Sequence, residues 1–176
     1  AGTLSYCCDG DMKLRILLGF LLGFGFSLSA AGQLPTPPAE SHQFDFWIGD
    51  WNVTTPDGKA AGTNSIQAIA GGFGLLENWQ GAGGGSGKSL NSYNRSKKQW
   101  QQFWVGVGGM LELSGGLDPK GRMILAGENN TPKGTLKSRI TWTPNKDGTV
   151  RQQWEQSRDA GVTWKTVFDG IYKRRD

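Results

Sequence analysis

Four glutamates, Glu77, Glu112, Glu128 and Glu155, stand within or beside alternating apolar segments of this chain. A carboxyl group in a cavity can take or give a proton, and two at a suitable separation supply the acid and base of glycoside chemistry. Glu77 lies on one face with Leu75 and Trp79, and Glu155 neighbours Trp154. These two are the catalytic candidates of an enzyme reading, a cofactor-free hydrolase or isomerase. The alternative for each is an ion pair with Arg139 or Arg151 across strands, or contact with water. Spacing along the chain leaves both open, because it does not set which strands face each other.

Other reactive chemistry is scarce. His42 is the single histidine, with no cysteine nearby, so a Ser-His-Asp triad, a multi-histidine metal site and haem ligation are not expected. It reads as a surface residue. No metal and no cofactor are expected. The glycine run from Gly81 to Gly87 imitates a phosphate loop, but a strand pattern follows it and no Lys-Ser/Thr pair is suitably placed. It reads as a flexible connection at a barrel mouth. The run from Ser157 to Trp164 fits S-x-D-x-G-x-T-W and resembles the Asp-box hairpin of sialidase-type propellers. A single copy implies a structural turn, with Asp159 capping backbone N–H groups and Trp164 packed beneath.

The elements that must position these residues alternate with period two. Phe46 to Val53, Ala60 to Ile69, Leu75 to Gln80, Lys88 to Tyr93, Gln99 to Val105, Met110 to Gly116, Arg122 to Glu128, Thr135 to Thr143, Thr149 to Ser157 and Trp164 to Lys173 read as strands. Turns such as Pro56-Asp57-Gly58-Lys59 and Asp118-Pro119-Lys120-Gly121 separate them. No segment sustains a helical period, so any helix is short, near Phe44 to Ile48 or Ala70. The pattern predicts an all-β fold, an antiparallel up-and-down barrel of about ten strands.

Alternation also assigns faces. Leu136, Ser138, Ile140 and Trp142 share one side, opposite Lys137 and Arg139. Trp100, Gln102 and Trp104 share another, and Trp164, Thr166, Phe168 and Tyr172 are expected together. Gln153 and Trp154 cannot both face inward on a regular strand. All eight tryptophans fall in the barrel segment, mixed with polar side chains, which suggests a half-polar pocket.

The 176 residues carry a formal net charge of +4. Lys97-Lys98 and Lys173-Arg174-Arg175 sit at a turn and a chain end, so nucleic acid binding is not expected. Lys13 and Arg15, the apolar run Ile16 to Phe26 and the small residues Ser29-Ala30-Ala31 read as a signal peptide from Met12 to Ala31, with cleavage after Ala31. The apolar run falls short of the roughly 20 residues of a membrane span, so none is expected in the mature chain. Residues 1–11 read as an upstream extension, since Asp9 and Asp11 suit no export signal. Cys7 and Cys8 lie there, leaving the exported protein without cysteine. Residues 32–43 read as a Pro-rich leader and 44–176 as the barrel domain. The expected location is periplasmic or secreted.

Gly49-Asp50-Trp51 matches the G-x-W of the first strand of lipocalins and fatty-acid-binding proteins, where the Trp closes one barrel end, often beneath an Arg. With Phe44 to Val53, Leu75 to Trp79, Ser89 to Tyr93, Arg139 to Trp142 and Phe168 to Tyr172, the chain resembles a family of secreted, lipocalin-like bacterial proteins over Phe44 to Arg175. The resemblance implies a calycin-type barrel and carries no established activity. It departs from that pattern at Asn94, where Asp is common, and at Ala160, where Gly is common.

The leading expectation is a barrel that binds a small, mostly apolar or amphipathic molecule with a polar head. Trp79, Tyr93, Trp100, Trp104, Trp142 and Trp154 are its candidate wall, and Glu77, Asn91, Gln102 or Gln153 would orient the head group. The enzyme reading is the second expectation. The third is a module that recognises envelope glycans or a partner through exposed Trp rings.

Overall fold

The computed structural model describes residues 34–175. The export pattern from Met12 to Ala31, the 1–11 extension and both cysteines lie outside the described residues. Among the described residues no helix is long and apolar enough to cross a membrane.

Ten antiparallel strands follow one another: β1 (Gly49–Thr54), β2 (Ala60–Ile69), β3 (Gly74–Gly81), β4 (Ser86–Asn94), β5 (Gln99–Gly106), β6 (Gly109–Leu117), β7 (Met123–Thr131), β8 (Gly134–Pro144), β9 (Val150–Ser157) and β10 (Lys165–Arg174). Each pairs with the next, and β10 pairs with β1 to close an up-and-down barrel. Closure leaves no unpaired sheet edge. The expected strands are all present, displaced by a residue or two at most ends. Two ends move by three residues: β7 runs on to Thr131, and the first strand starts late, because Asp45–Trp47 is a 3-10 turn and pairing begins only at Gly49.

That turn has a packing reason. It swings Trp47 under the barrel, where the Trp51 indole N–H donates to the Trp47 carbonyl at 2.9 Å. Phe44 stacks on Trp47 with ring centroids 4.9 Å apart and meets Trp142 and Trp100 edge-on at 5.1 and 5.6 Å. All four rings are fully buried. The Arg174 guanidinium lies 4.6 Å from the Trp51 ring at this closed end. The leader does not stop short of the domain as its proline content suggested. Ala39–His42 forms a second 3-10 turn, Ser41 is buried, and Gln43 accepts a 3.2 Å hydrogen bond from the Trp100 indole. Its final turn completes the closed end.

The last strand departs from simple alternation. The β9–β10 register slips between Thr166 and Phe168, which leaves Val167 as an extra residue. Such a bulge reverses the facing of everything before it. Phe168, Gly170 and Tyr172 therefore keep the inner side, while Trp164 and Thr166 do not join them. Trp164 instead lies on the outer surface beneath the Arg139 guanidinium, 4.3 Å from its ring centre. The Asp-box turn leads into this strand as expected. Asp159 accepts from the Thr163 backbone N–H at 2.9 Å and from the Ser157 hydroxyl at 2.7 Å, while the Trp164 indole donates to the Gly161 carbonyl at 3.0 Å.

Candidate functional site

The inner residues of β2 to β5 form a polar layer above the aromatic plug. Glu77 on β3 pairs in register with Ser89 on β4, which pairs with Trp104 on β5. The Glu77 side chain is 3 % exposed. Asn64 Nδ2 donates to Glu77 Oε1 at 2.7 Å, and Ser89 Oγ donates to Oε2 at 2.6 Å. Asn91 donates to Ser89 at 2.9 Å, and Gln102 donates to the Asn91 oxygen at 2.8 Å. On the far side Tyr172 donates to the Gln152 oxygen and accepts from Asn64 at 3.3 Å.

Among the described residues no cation balances this carboxylate: its hydrogen-bond partners are a neutral amide and a hydroxyl. Burial penalises the ionised form and pushes the Glu77 carboxyl from 4.5 up to about 7, although the hydrogen bonds from Ser89 and Asn64 pull the other way. Burial, with the nearby Glu77 charge adding to it, raises the Tyr172 phenol well above 10. The phenol stays neutral at any physiological pH.

Above this layer lies a cavity of about 200 Å³ lined by Glu77, Gln102, Gln152 and Tyr172 below and by Trp79, Trp104, Trp154 and Phe168 around it, with Leu111, Ile140 and Val167 between. It opens into a shallower cup of about 400 Å³, also walled by Trp79, Trp104, Leu111 and Trp154 and rimmed by the β3–β4 and β5–β6 turns. The glycine run is thus a mouth turn, closed by a 2.7 Å bond from the Gly81 N–H to the Gly85 carbonyl.

Inward-facing glycines explain why large rings leave a space. A methyl group on Gly87 would overlap the Trp104 indole, one on Gly170 would lie 2.7 Å from the Phe168 ring, and one on Gly62 would lie 2.8 Å from the Trp79 ring. Each ring occupies space that a side chain at the glycine would fill. The rings therefore line the wall and leave a space beside them, with Trp79 and Phe168 meeting edge-on at 5.7 Å between centroids.

Of the residues expected to bind, Glu77, Trp79, Gln102, Trp104 and Trp154 reach the cavity. Asn91 is buried beneath it, where it holds Gln102. Trp100 and Trp142 belong to the closed-end plug, and Tyr93 packs edge-on against Trp100 at 6.4 Å. The choice between Gln153 and Trp154 falls to Trp154. Gln153 faces outward among Arg139, Arg151 and Glu155, and the inner glutamine is Gln152. Glu155 also stands outside, accepting from Arg139 at 2.8 Å and 3.1 Å, so it does not share a cavity with Glu77. Arg151 pairs instead with Asp169 at 2.6 Å and 2.8 Å. Alternation from Tyr172 and Trp154 could have found Gln152. Asn64 had no comparable signal, because its role depends on β2 lying beside β3.

His42 is exposed and bonds Asp45 at 2.8 Å. Among the described residues no group of three or more His, Cys, Asp or Glu is arranged to hold a metal ion. No protein-family model matches the chain, and no curated protein matches it.

Proposed function

We propose that the barrel binds a small, mostly apolar molecule with a polar head, held head-down against the Glu77 layer. The observation that carries this reading is an apolar, aromatic-walled cavity with an ionisable carboxyl at its floor and an open mouth above. Burying the ligand's apolar surface supplies affinity at about 25 cal/mol per Å², while Glu77, Gln102 and Gln152 select the head. A volume of about 200 Å³ suits a body of one ring or a short chain, with any longer tail emerging through the cup. Export to the periplasm or beyond the cell belongs to the same proposal, supported by the pattern from Met12 to Ala31, as does kinship with secreted lipocalin-like proteins.

Trp79, Trp104 and Trp154 report directly on the site. Their fluorescence is expected to change on titration with at least one compound from a panel of fatty acids, isoprenoids and small aromatic metabolites. One-ring compounds should bind more tightly than long chains. An emission spectrum unmoved across that panel would refute the proposal.

A proton-transfer enzyme is the second reading, favoured by a carboxyl raised to about 7 in an apolar cavity. Its acid or base would be Glu77 alone, since Glu155 lies outside. Activity surviving in Glu77→Gln would remove it. Recognition of glycans through exposed rings has less support, because each of the eight tryptophans is buried or half-buried.

A further inference from the structure

We propose that the head group is a cation, and that the ligand class is a small organic amine or methylated ammonium compound carried on an apolar body. This rests on the binding reading above and narrows it. Three observations point the same way.

First, the Glu77 carboxylate is buried at the cavity floor with hydrogen bonds from Asn64 and Ser89 and no basic side chain. A buried carboxylate normally has a charged partner, because leaving it unpaired costs several kcal/mol. Here the side of the carboxylate that faces the cavity is where such a partner would sit. Second, the walls above it are aromatic rings. Trp79 and Phe168 meet edge-on with centroids 5.7 Å apart, and Trp104 and Trp154 complete the lining. Indole faces attract cations, and a ring of aromatics around a carboxylate is the arrangement that holds an ammonium group in an otherwise dry site. Third, the remaining polar groups at the floor, Gln102, Gln152 and Tyr172, are neutral, and none of the lining residues is Lys, Arg or His. An anionic head would meet Glu77 with nothing to offset the repulsion.

The size also fits. At about 30 Å³ for each water-sized group, 200 Å³ accepts about seven non-hydrogen atoms, with a few more in the cup. The 2-phenylethylammonium ion matches this volume. Its ammonium would donate to Glu77 while its ring lies among Trp79, Trp104 and Trp154.

Charge selectivity gives a test that separates this inference from the binding reading beneath it. The full-length protein is titrated at about pH 8 with 2-phenylethylammonium, with 2-phenylethanol and with phenylacetate, using tryptophan emission and calorimetry. The expected order is the amine first, with a Kd at least about tenfold below that of the alcohol, and the carboxylate weakest. In Glu77→Gln the ratio of amine to alcohol affinity should fall to about threefold or less, whatever the variant does to the binding of both. Equal or better binding of the alcohol or the carboxylate overturns the cation inference and leaves the apolar-ligand reading standing. Binding by none of the three overturns the cation inference as well, and silence across the wider panel removes the reading beneath it.

A second measurement needs no variant. The groups facing Glu77 are Asn64 from β2, Ser89 from β4 and Tyr172 from β10, and only Tyr172 among them is titratable, well above this range. The amine's advantage over the alcohol should therefore fall between about pH 8 and about pH 5, as Glu77 takes up its proton. An advantage that persists unchanged at the lower pH overturns the inference.

Discussion

Replacing Glu77 with Gln should make the free protein more stable at alkaline pH, the reverse of the usual result of altering a buried hydrogen-bonded side chain. The folded carboxyl, at about 7, lies above its ordinary 4.5, so the folded state holds the proton more tightly than the unfolded state does. The stability linked to this group is therefore complete below about pH 4.5 and is lost as pH rises through 7. At about 1.4 kcal/mol for each tenfold difference in proton affinity, the loss between those limits is about 3 kcal/mol. A glutamine side chain has nearly the same shape and stays neutral. Its carbonyl can accept from Ser89, and its amide can donate to the Asn64 oxygen, which is buried without a partner in the native protein, once that amide turns over. Urea unfolding of both proteins at about pH 5 and about pH 8 reads this directly. The native protein should lose about 2–3 kcal/mol between the two conditions while the variant changes little from this source, so the variant is the more stable at pH 8. Parallel pH profiles, or a variant less stable than the parent at pH 8, would refute the account of an unpaired buried carboxylate.

Three other outcomes follow from the packing. Ala160 sits in the Asp-box turn at φ 60°, a left-handed conformation that costs a residue with a Cβ. Ala160→Gly should therefore stabilise the protein by about 0.5–1 kcal/mol, read as a rise in Tm, and a lower Tm would count against strain there. Phe44 touches Trp47, Trp100 and Trp142 at the closed end. Phe44→Ala should cost about 3–5 kcal/mol in chemical unfolding, and a cost under 1 kcal/mol would show that the segment before β1 is not part of the core. Gly87→Ala places a methyl group where the Trp104 indole lies. It should cost about 1–3 kcal/mol and shift the tryptophan emission as that ring moves into the lumen, while an unchanged spectrum would mean the ring does not depend on the glycine.

Much of the barrel was legible because its determinants are local. Alternation over Thr135 to Thr143 and over Gln99 to Val105 assigned faces that the fold keeps, since side chains two apart on a strand must share a side. Glycine-bearing turns at Asp118 to Gly121 and Asn145 to Gly148 marked hairpins for the same kind of reason. The final strand misled because one extra residue, Val167, reverses the facing before it, and nothing in Thr166-Val167-Phe168 announces a bulge. Similarly, Pro-rich composition described the start of the leader but not the burial of Ser41 or the hydrogen bond from Trp100 of β5 to Gln43.

Taken alone, the order of residues determined the strand period, the turns, the shortage of catalytic chemistry and the presence of carboxyl groups among tryptophans. Only closure of the barrel decided which carboxyl faces the cavity. It carried Glu77 inward against Asn64 and Ser89, left Glu155 outside against Arg139, and sent Trp100 and Trp142 to the plug while Trp79, Trp104 and Trp154 coated the cavity. The physical reason is range: alternation is felt between neighbours on one strand, whereas burial, charge pairing and empty volume are set by side chains that meet only when distant strands close around the same space.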